Sequence, residues 1–265
     1  MTTEVETLFT ALWSDFITRL CPSADEIHQL LTEHEALEND HIALRTFNLP
    51  SVGIDVVAAP FLAIGYKACG EYLFESKKLS ARHYEHPNPS APKVFISELM
   101  VEQCSPELQE VVHSLVSQVP DGFDHQQSFL YGGRPWTLSY EQYQQLALES
   151  EYAGWLAAHG FGANHFTVNV NQLNNYNEVV EVNRKLRSVG FTINDAGGEV
   201  KGTPEVFLEQ SSTMSDKVEV LFSDGKKTIP GGFYEFAKRY PLANGYLYQG
   251  FVAASADKIF ESTNN

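Results

Sequence analysis

Residues 165–171, HFTVNVN, open the part of the chain that decides its fold. Because side chains alternate between the two faces of a strand, His165 and Thr167 share one face with two asparagines, whereas Phe166 and two valines occupy the other. A polar face is unusual for a strand at the centre of a sheet. It is typical of a strand that lines a wet functional cavity, so we interpret this stretch as the first strand of a site-bearing unit.

The unit that begins at this strand extends to about residue 239. The pattern predicts a helix over about 175–189, followed by three strands with the sequences VFLEQSST, DKVEVLF and GGFYEFAKR. Asp224-Gly225 is a turn signal before the last of them. The predicted order is therefore β-α-β-β-β.

The same order can be read over residues 41–101. HIALRTFN predicts a strand and residues 51–66 a short apolar helix, and EYLFES, LSARHYEH and KVFISELMV predict three more strands. We therefore predict an α+β fold in which two β-α-β-β-β units, about 41–101 and 165–239, form one curved sheet around a cavity. Helices are expected as additions over about 5–37 and 105–159, and residues 1–265 form a single domain.

The helical additions carry their own signals. The first helix has an apolar stripe and ends at Pro22-Ser23. The stripe consists of Leu8, Leu12, Phe16 and Leu20. Ser105 and Pro106 predict the start of a helix, and a longer helix is expected from about Ser139 to His159, ended by Gly160.

Composition excludes several classes of function. The 265 residues are 43% hydrophobic, enough for a sizeable core, and carry a formal net charge of −16. That charge argues against nucleic acid and anionic membranes as partners, since both attract basic patches. The longest apolar stretch, residues 56–66, is too short to span a bilayer. Three scattered cysteines and an N-terminus without a basic segment predict a protein of the reducing cytoplasm.

A second histidine opens the first strand of the earlier unit. In HIALRTFN, His41 and Arg45 lie two pleats apart on one face. Histidine is a common metal ligand, and the fork of an arginine matches a carboxylate. The pair predicts a metal ligand beside a clamp for an anionic substrate.

Glu235 lies between Tyr234 and Phe236 in the last predicted strand. A buried carboxylate without a partner is costly, and a bound metal ion removes that cost. With His41 and His165 it makes the two-histidine, one-carboxylate set of non-haem iron(II) oxygenases, which leaves coordination positions open. We therefore predict one iron(II) ion at His41, His165 and Glu235.

Each of these residues also has a plainer interpretation. A single histidine on a strand is more often hydrogen-bonded or exposed than a ligand, and the hypothesis depends on the matching positions in the two units. His83 and His86 are interpreted as parts of a polar edge strand rather than a metal pair. Glu98 is assigned to the position in the first unit that Glu235 holds in the second, and is the reserve fourth ligand.

Several segments resemble the 2-oxoadipate dioxygenase/decarboxylase family, whose architecture is similar to that of the vicinal-oxygen-chelate proteins. GGFYEFAKR is also similar to the carboxylate-ligand strand of 4-hydroxyphenylpyruvate dioxygenase. The matching segments are HIALRTFN at 41–48, KKLSARHYEHP with KVFISEL, ANHFTVNVN at 163–171, LEQSSTMSD at 208–216 and IPGGFYEFAKRYP at 229–241.

The resemblance implies iron(II) held by His41, His165 and Glu235, with Arg45 gripping a substrate carboxylate. It also implies that 2-oxoadipate and O2 are converted into 2-hydroxyglutarate and CO2, a step in lysine degradation. Family members tied to that reaction carry extra C-terminal sequence, so the iron site transfers more directly than the substrate does.

Other residues complete the predicted pocket. Gln210 and Ser212 share one strand face and are candidates for polar contacts with the substrate, and Tyr246 and Tyr248 are candidates for its mouth.

Two rival functions stay open. A metal-dependent isomerase or hydrolase of the same architecture would use Glu98 as a fourth ligand, with zinc or nickel. A non-catalytic module would bind a small acid without consuming it. The sequence leaves the oligomeric state undetermined.

Overall fold

A helical segment precedes the sheet in the computed structural model, which describes residues 3–32 and 38–263. Helix α1 (Thr3–Asp15) runs into a π-helical turn (Phe16–Leu20), and α2 (Ser23–Thr32) follows. The predicted apolar stripe is fully buried. The prediction of two helices is therefore confirmed, apart from residues 33–37, which lie outside the described residues. No helix in the described ranges is long and apolar enough to cross a membrane.

The first predicted unit forms as expected. Its elements are β1 (Asn39–Phe47), α3 (Ile54–Ala63), β2 (Lys67–Phe74), β3 (Leu79–Glu85) and β4 (Lys93–Leu99). Helix α3 contacts β1 and β4. This places an apolar layer on one face of those strands and leaves the other face for the site.

Three helices connect the two units: α4 (Pro106–Val116), α5 (Tyr140–Glu149) and α6 (Glu151–His159). The single helix expected from Ser139 to His159 is wrong, because the chain breaks at Ser150, whose hydroxyl accepts from the Ala153 amide and starts a new helix. Gly160 ends α6 with a φ of 63°. A Cβ there would lie 2.2 Å from the Cα of Arg134, so glycine is required.

The second unit has two more strands than predicted, β6 and β9, and one predicted strand pairs outside the main sheet. Its elements are β5 (Ala163–Asn169), α7 (Val179–Ser188), β6 (Lys201–Thr203), β7 (Leu208–Ser212), β8 (Lys217–Phe222), β9 (Gly225–Pro230) and β10 (Phe233–Arg239). DKVEVLF is a strand, β8, but it leaves the sheet and pairs with β9 in a separate hairpin. Only Val218 and Phe222 of β8 are buried. The pairing of β8 could not be predicted, because the pattern that predicts a strand does not identify its partner.

The main sheet has eight strands in the order β2-β3-β4-β1-β5-β10-β7-β6. The units meet where β1 and β5 pair in antiparallel fashion, and each is flanked by a parallel partner, β4 or β10. The α+β class with two paired units is thus confirmed. The first strands of both units, which carry His41 and His165, lie side by side at the centre of the sheet.

Aromatic packing fixes which face of these central strands is available. Phe166 and Tyr234 lie against Trp13 and Phe16 of the N-terminal helices, with ring centroids 5.1–6.4 Å apart. Because strand side chains alternate, neighbours of these aromatics in the sequence point to the opposite face. His165 and Glu235 are those neighbours.

Candidate metal centre

Three buried side chains converge on one point at the middle of the sheet. His41, His165 and Glu235 each offer a ligand atom within 4.8 Å of the others. The Nε2 of His41 lies 3.5 Å from Glu235 Oε1, and the Nε2 of His165 lies 3.2 Å from Oε2. Two of the residues come from the strands that open the units and one from the strand that closes the second, as the sequence predicted.

The contacts within this group leave ligand atoms unsatisfied. The Oε2 of Glu235 makes no hydrogen bond within the described residues although His165 is adjacent, and Gln210 Oε1 is likewise buried without a partner there. A divalent cation at this point would satisfy the carboxylate. The donor set of two imidazoles and one carboxylate therefore fits a metal ion such as iron(II) or zinc(II).

Burial sets the protonation of the cluster. It raises the pKa of Glu235 to about 8, opposed by the hydrogen bond from Gln210 Nε2, which lies 2.5 Å from Oε1. Burial lowers the pKa of His41, and it holds the pKa of His165 well below its usual range, helped by the charges of His41 and Arg45. Both imidazoles are therefore neutral near pH 7, the form that binds metals.

The residue directly before each histidine orients its ring. The Nδ1 of His41 donates to Asp40 Oδ1 at 2.7 Å, which turns the Nε2 lone pair towards the centre, where it accepts from the Thr167 hydroxyl at 3.1 Å. The Nδ1 of His165 lies 3.2 Å from the Asn164 Oδ1. A carboxylate behind a ligating histidine fixes its tautomer and increases its basicity.

Asp40 is held in turn by Arg239, the last residue of β10. The guanidinium forks onto the carboxylate, with Nε 2.6 Å from Oδ2 and Nη2 2.8 Å from Oδ1. Burial alone would raise the pKa of Asp40, but Arg239 and His41 hold it well below the usual range. The pair is fully buried, so Asp40 stays an anion.

Arg45 lies on the cavity face of β1 and is buried. Its guanidinium packs over the rings of Tyr152 and Trp155, 4.8 and 4.9 Å from their centroids. Its Nη1 donates to Glu151 Oε1 at 3.0 Å and its Nη2 to the Thr263 hydroxyl at 3.3 Å. The aromatic rings and Glu151 hold the charge in place.

The four other residues predicted for the pocket do not all lie at the cavity. Gln210 bonds Glu235 and lies in the cavity wall, and Ser212 is buried with its Oγ 2.7 Å from the Ser262 Oγ. Tyr246 is 76% exposed and does not line this cavity, and Tyr248 accepts from Arg239 through its backbone carbonyl. The two tyrosines are therefore not at its wall.

Glu98 does not hold the position expected of it. In the second unit Glu235 pairs with Thr167, two residues after His165, and in the first unit the residue two after His41 pairs with Phe95. Glu98 pairs with Thr46 instead. Its carboxylate accepts from the Ile54 amide at 2.9 Å and the Ser80 hydroxyl at 3.1 Å, away from the cluster. The predicted equivalence of the two units was therefore wrong by three residues in β4, since Phe95 and not Glu98 holds the position of Glu235.

The C-terminal segment, residues 251–263, covers the cluster. Phe251 and helix α8 (Ala253–Ile259) contribute apolar side chains to the cavity, and the Phe251 ring lies 4.8 Å from that of His41. The space that remains beside the cluster is about 20 Å³, which holds about one water molecule. These covering residues were not predicted. The strand patterns that locate the cluster do not indicate which other segment of the chain packs over it.

Asp40 and Arg239 were also missed. An acidic residue directly before a metal-type histidine was a usable signal in the sequence, since ligating histidines commonly donate their second nitrogen to a carboxylate. Its counterpart Arg239 is 199 residues away in the chain. No local pattern links them.

A family model described as 2-oxoadipate dioxygenase/decarboxylase matches residues 4–132 and 126–246. Among curated proteins, the chloroplastic 2-oxoadipate dioxygenase/decarboxylase of Arabidopsis thaliana is 38% identical over 251 residues, which cover 84% of this chain and 67% of that protein.

Two solved structures share the fold with a TM-score of 0.92 each. One, from Shewanella frigidimarina NCIMB 400, was provisionally described as a hydrolase; it is 55% identical, with 96% of this chain and 100% of that chain covered. The other is the hydroxyglutarate synthase of Oryza sativa in complex with 2-oxoadipate, 30% identical, with 100% and 94% covered.

Proposed function

The chain belongs to the 2-oxoadipate dioxygenase/decarboxylase family, and we propose that it is an iron(II)-dependent enzyme that oxidatively decarboxylates a 2-oxo acid. The proposed substrates are 2-oxoadipate and O2, and the products 2-hydroxyglutarate and CO2. The rice relative solved with 2-oxoadipate supports the choice of substrate. The three free thiols support a reducing compartment such as the cytoplasm, although the name of the Arabidopsis relative places that protein in the chloroplast.

The convergence of His41, His165 and Glu235 carries the proposal. These three side chains are buried at the centre of the sheet, and their ligand atoms lie within 4.8 Å of one another. Iron(II) bound there would supply the activation of O2, which no protein side chain can perform. Two imidazoles and one carboxylate leave coordination positions for other ligands.

The chain's own residues prepare this centre. Asp40 keeps the His41 Nδ1 protonated, so the Nε2 lone pair faces the position of the ion, where it now accepts from the Thr167 hydroxyl. The amide of Gln210 donates to Glu235 Oε1 and so favours the anionic form of a carboxyl group that burial would otherwise protonate.

Arg45 would bind the far carboxylate of a dicarboxylic substrate. It lies four residues from His41 along β1, a distance of about 13 Å between Cα atoms. Long side chains at both ends shorten that span, so the 2-oxo end of a six-carbon acid would lie at the metal and its other end at the guanidinium. A bidentate arginine–carboxylate pair fixes both the position and the charge of the ligand.

The covering segment has to give way to a substrate of this size. The remaining cavity of about 20 Å³ is far smaller than a six-carbon acid. The Thr263 hydroxyl already occupies Nη2 of Arg45, so the substrate carboxylate would replace it there. We expect residues 251–263 to shift when the substrate binds.

The test is a coupled measurement on purified protein loaded anaerobically with iron(II). Addition of 2-oxoadipate and O2 should give equal rates of oxygen uptake and CO2 release, with 2-hydroxyglutarate as the product. His165→Ala and Glu235→Ala should lose iron and turnover. Glu98→Gln is the control, because its carboxylate binds the start of α3 rather than the cluster, and it should keep stoichiometric iron.

Different failures have different meanings. Stoichiometric iron in His165→Ala would reject the ligand set, whereas tight iron without oxygen uptake would keep the ligands and reject the reaction. Turnover that needs no oxygen would favour the isomerase or hydrolase alternative. That alternative is weakened because Phe95, not a carboxylate, occupies the first-unit position equivalent to Glu235.

A further inference from the structure

A second group of metal-type side chains lies on the outer strands of the first unit. Cys69, His83 and Glu85 offer ligand atoms that all lie within 4.8 Å of one another. They belong to β2 and β3, which form an antiparallel pair at the edge of the sheet. None of the three is part of the centre described above.

The backbone of β2 is irregular where this group forms. The register of β2 against β3 shifts between Ala68 and Gly70, and Cys69 occupies the shift. A Cβ at Gly70 would lie 2.8 Å from two atoms of the His83 ring, so the glycine makes room for the imidazole to lie against the strand. The bulge and the glycine together bring a thiol and an imidazole to the same side.

The hydrogen bonds of His83 resemble those of a ligating histidine. Its Nδ1 lies 2.9 Å from the Tyr72 hydroxyl, and its Nε2 lies 2.9 Å from Glu85 Oε1. Tyr72 is itself fixed, because its hydroxyl accepts from the Phe251 amide at 3.1 Å. The Nδ1 of His83 is thus anchored by Tyr72. The Nε2 is hydrogen-bonded to the Glu85 carboxylate through a proton, and a bound cation would replace that proton.

The group is accessible from solvent, unlike the central cluster. His83 is buried, but Cys69 is exposed and Glu85 is partly exposed. A cation that binds here displaces the proton of the Cys69 thiol, because the thiolate is the form that ligates metals. Solvent access leaves an open position for water on the ion.

We propose that Cys69, His83 and Glu85 form a second divalent-cation site, of the kind that takes zinc(II). One thiolate, one imidazole and one carboxylate are ligands that zinc accepts, and three protein ligands leave its fourth position open. The thiolate favours a soft ion, whereas the central cluster contains no sulfur. The inference goes beyond the proposed oxygenase function and does not depend on it.

Cobalt(II) separates the two sites in one titration. A cobalt–thiolate bond gives a strong charge-transfer absorption that cobalt bound to nitrogen and oxygen ligands lacks. Metal-free protein titrated with cobalt(II) should develop this band, and zinc(II) should abolish it. Cys69→Ser should remove the band and weaken zinc binding by more than about tenfold. Cys104→Ser is the matched control and should keep both, since that thiol belongs to no such group within the described residues.

Thiol protection gives an independent readout. Of the three cysteines only Cys69 is exposed, so iodoacetamide should modify it first, and zinc(II) should slow that reaction at least about tenfold. His83→Gln keeps the thiol but should abolish the protection.

Absence of the cobalt band in the wild-type protein, or its persistence in Cys69→Ser, would overturn the site. Equal alkylation rates with and without zinc(II) would do the same. Oxygen uptake with 2-oxoadipate should be unchanged in Cys69→Ser, so a failure of this site and a failure of the oxygenase proposal are distinguishable.

Discussion

Asp40→Asn is the change that most directly tests how the centre is built. Asp40 is 4% exposed and accepts three hydrogen bonds, two from the guanidinium of Arg239 and one from the His41 imidazole. The asparagine has nearly the same shape but removes the negative charge. It therefore perturbs the charge of the network and leaves its volume intact.

The expected loss of stability follows from the charge left behind. Without Asp40 the guanidinium of Arg239 is buried with no counter-charge, and breaking a buried pair in this way costs about 3–5 kcal/mol. Typical domains are stable by only about 5–15 kcal/mol. Urea unfolding of the metal-free protein should therefore show a large decrease in the free energy of unfolding. The hydrogen bonds from Arg239 to the carbonyls of Tyr248 and Gly250 persist and limit the damage.

The expected loss of metal affinity has a separate cause. Asparagine offers His41 a weaker acceptor, so the imidazole is less basic and its tautomer less fixed. Changes of this kind behind a ligating histidine weaken metal binding by about 10–100-fold. Affinity for cobalt(II) at the central cluster can be measured by competition with a chelator, in a Cys69→Ser background that removes thiolate ligation.

A double variant separates the two effects. Asp40→Asn combined with Arg239→Met removes both charges, so it should recover part of the lost stability but none of the metal affinity. If folded Asp40→Asn binds cobalt(II) as tightly as the wild type, the carboxylate does not orient His41 and the reasoning fails. Recovery of both properties in the double variant would assign Asp40 a purely structural role.

Three further predictions concern the pocket and the core. Arg45→Met should leave metal affinity unchanged but raise KM for 2-oxoadipate by about 30-fold or more, equivalent to about 2 kcal/mol, while a monocarboxylic 2-oxo acid of equal length is little affected; equal effects on both acids would reject the clamp. Gln210→Leu removes the donor to Glu235 and should weaken metal binding by about 10–100-fold, measured by chelator competition. Burial lowers the pKa of His159 to about 3, and its Nε2 donates to the Pro230 carbonyl. The unfolded chain takes up this proton near pH 6.5, so the free energy of unfolding should fall between pH 6.5 and about 3, by at most about 5 kcal/mol. The same pH series on His159→Gln should be flatter, and an unchanged slope would contradict the assignment.

Side-chain alternation explains why much of the centre could be predicted. His165 and Thr167 occupy the polar face of a strand whose other face is apolar, and that pattern alone aims them at a cavity. Glu235 between two aromatics follows the same rule. The period of a strand identifies faces without any knowledge of the partner strand.

Register could not be predicted in this way. Glu98 and Phe95 lie three residues apart in β4, so a shift of three residues exchanges one for the other and also changes the face. The strand pattern of β8 was equally clear, yet β8 pairs outside the sheet. Pairing depends on contacts between distant segments, and the two units share too little sequence to fix the alignment of their strands.

The difference between the two units itself bears on function. Each unit places one histidine at the equivalent point of its first strand. Only the second unit adds a carboxylate on the parallel partner strand, paired with the residue two after the histidine. At the corresponding point of the first unit Phe95 faces the cavity, with its ring 5.0 Å from that of Phe251. A fourth protein ligand would have to come from there, and the chain supplies an apolar wall instead. The side of the cluster nearest the first unit is therefore left without a protein donor at that position, which is where the coordination sites for substrate and O2 are expected.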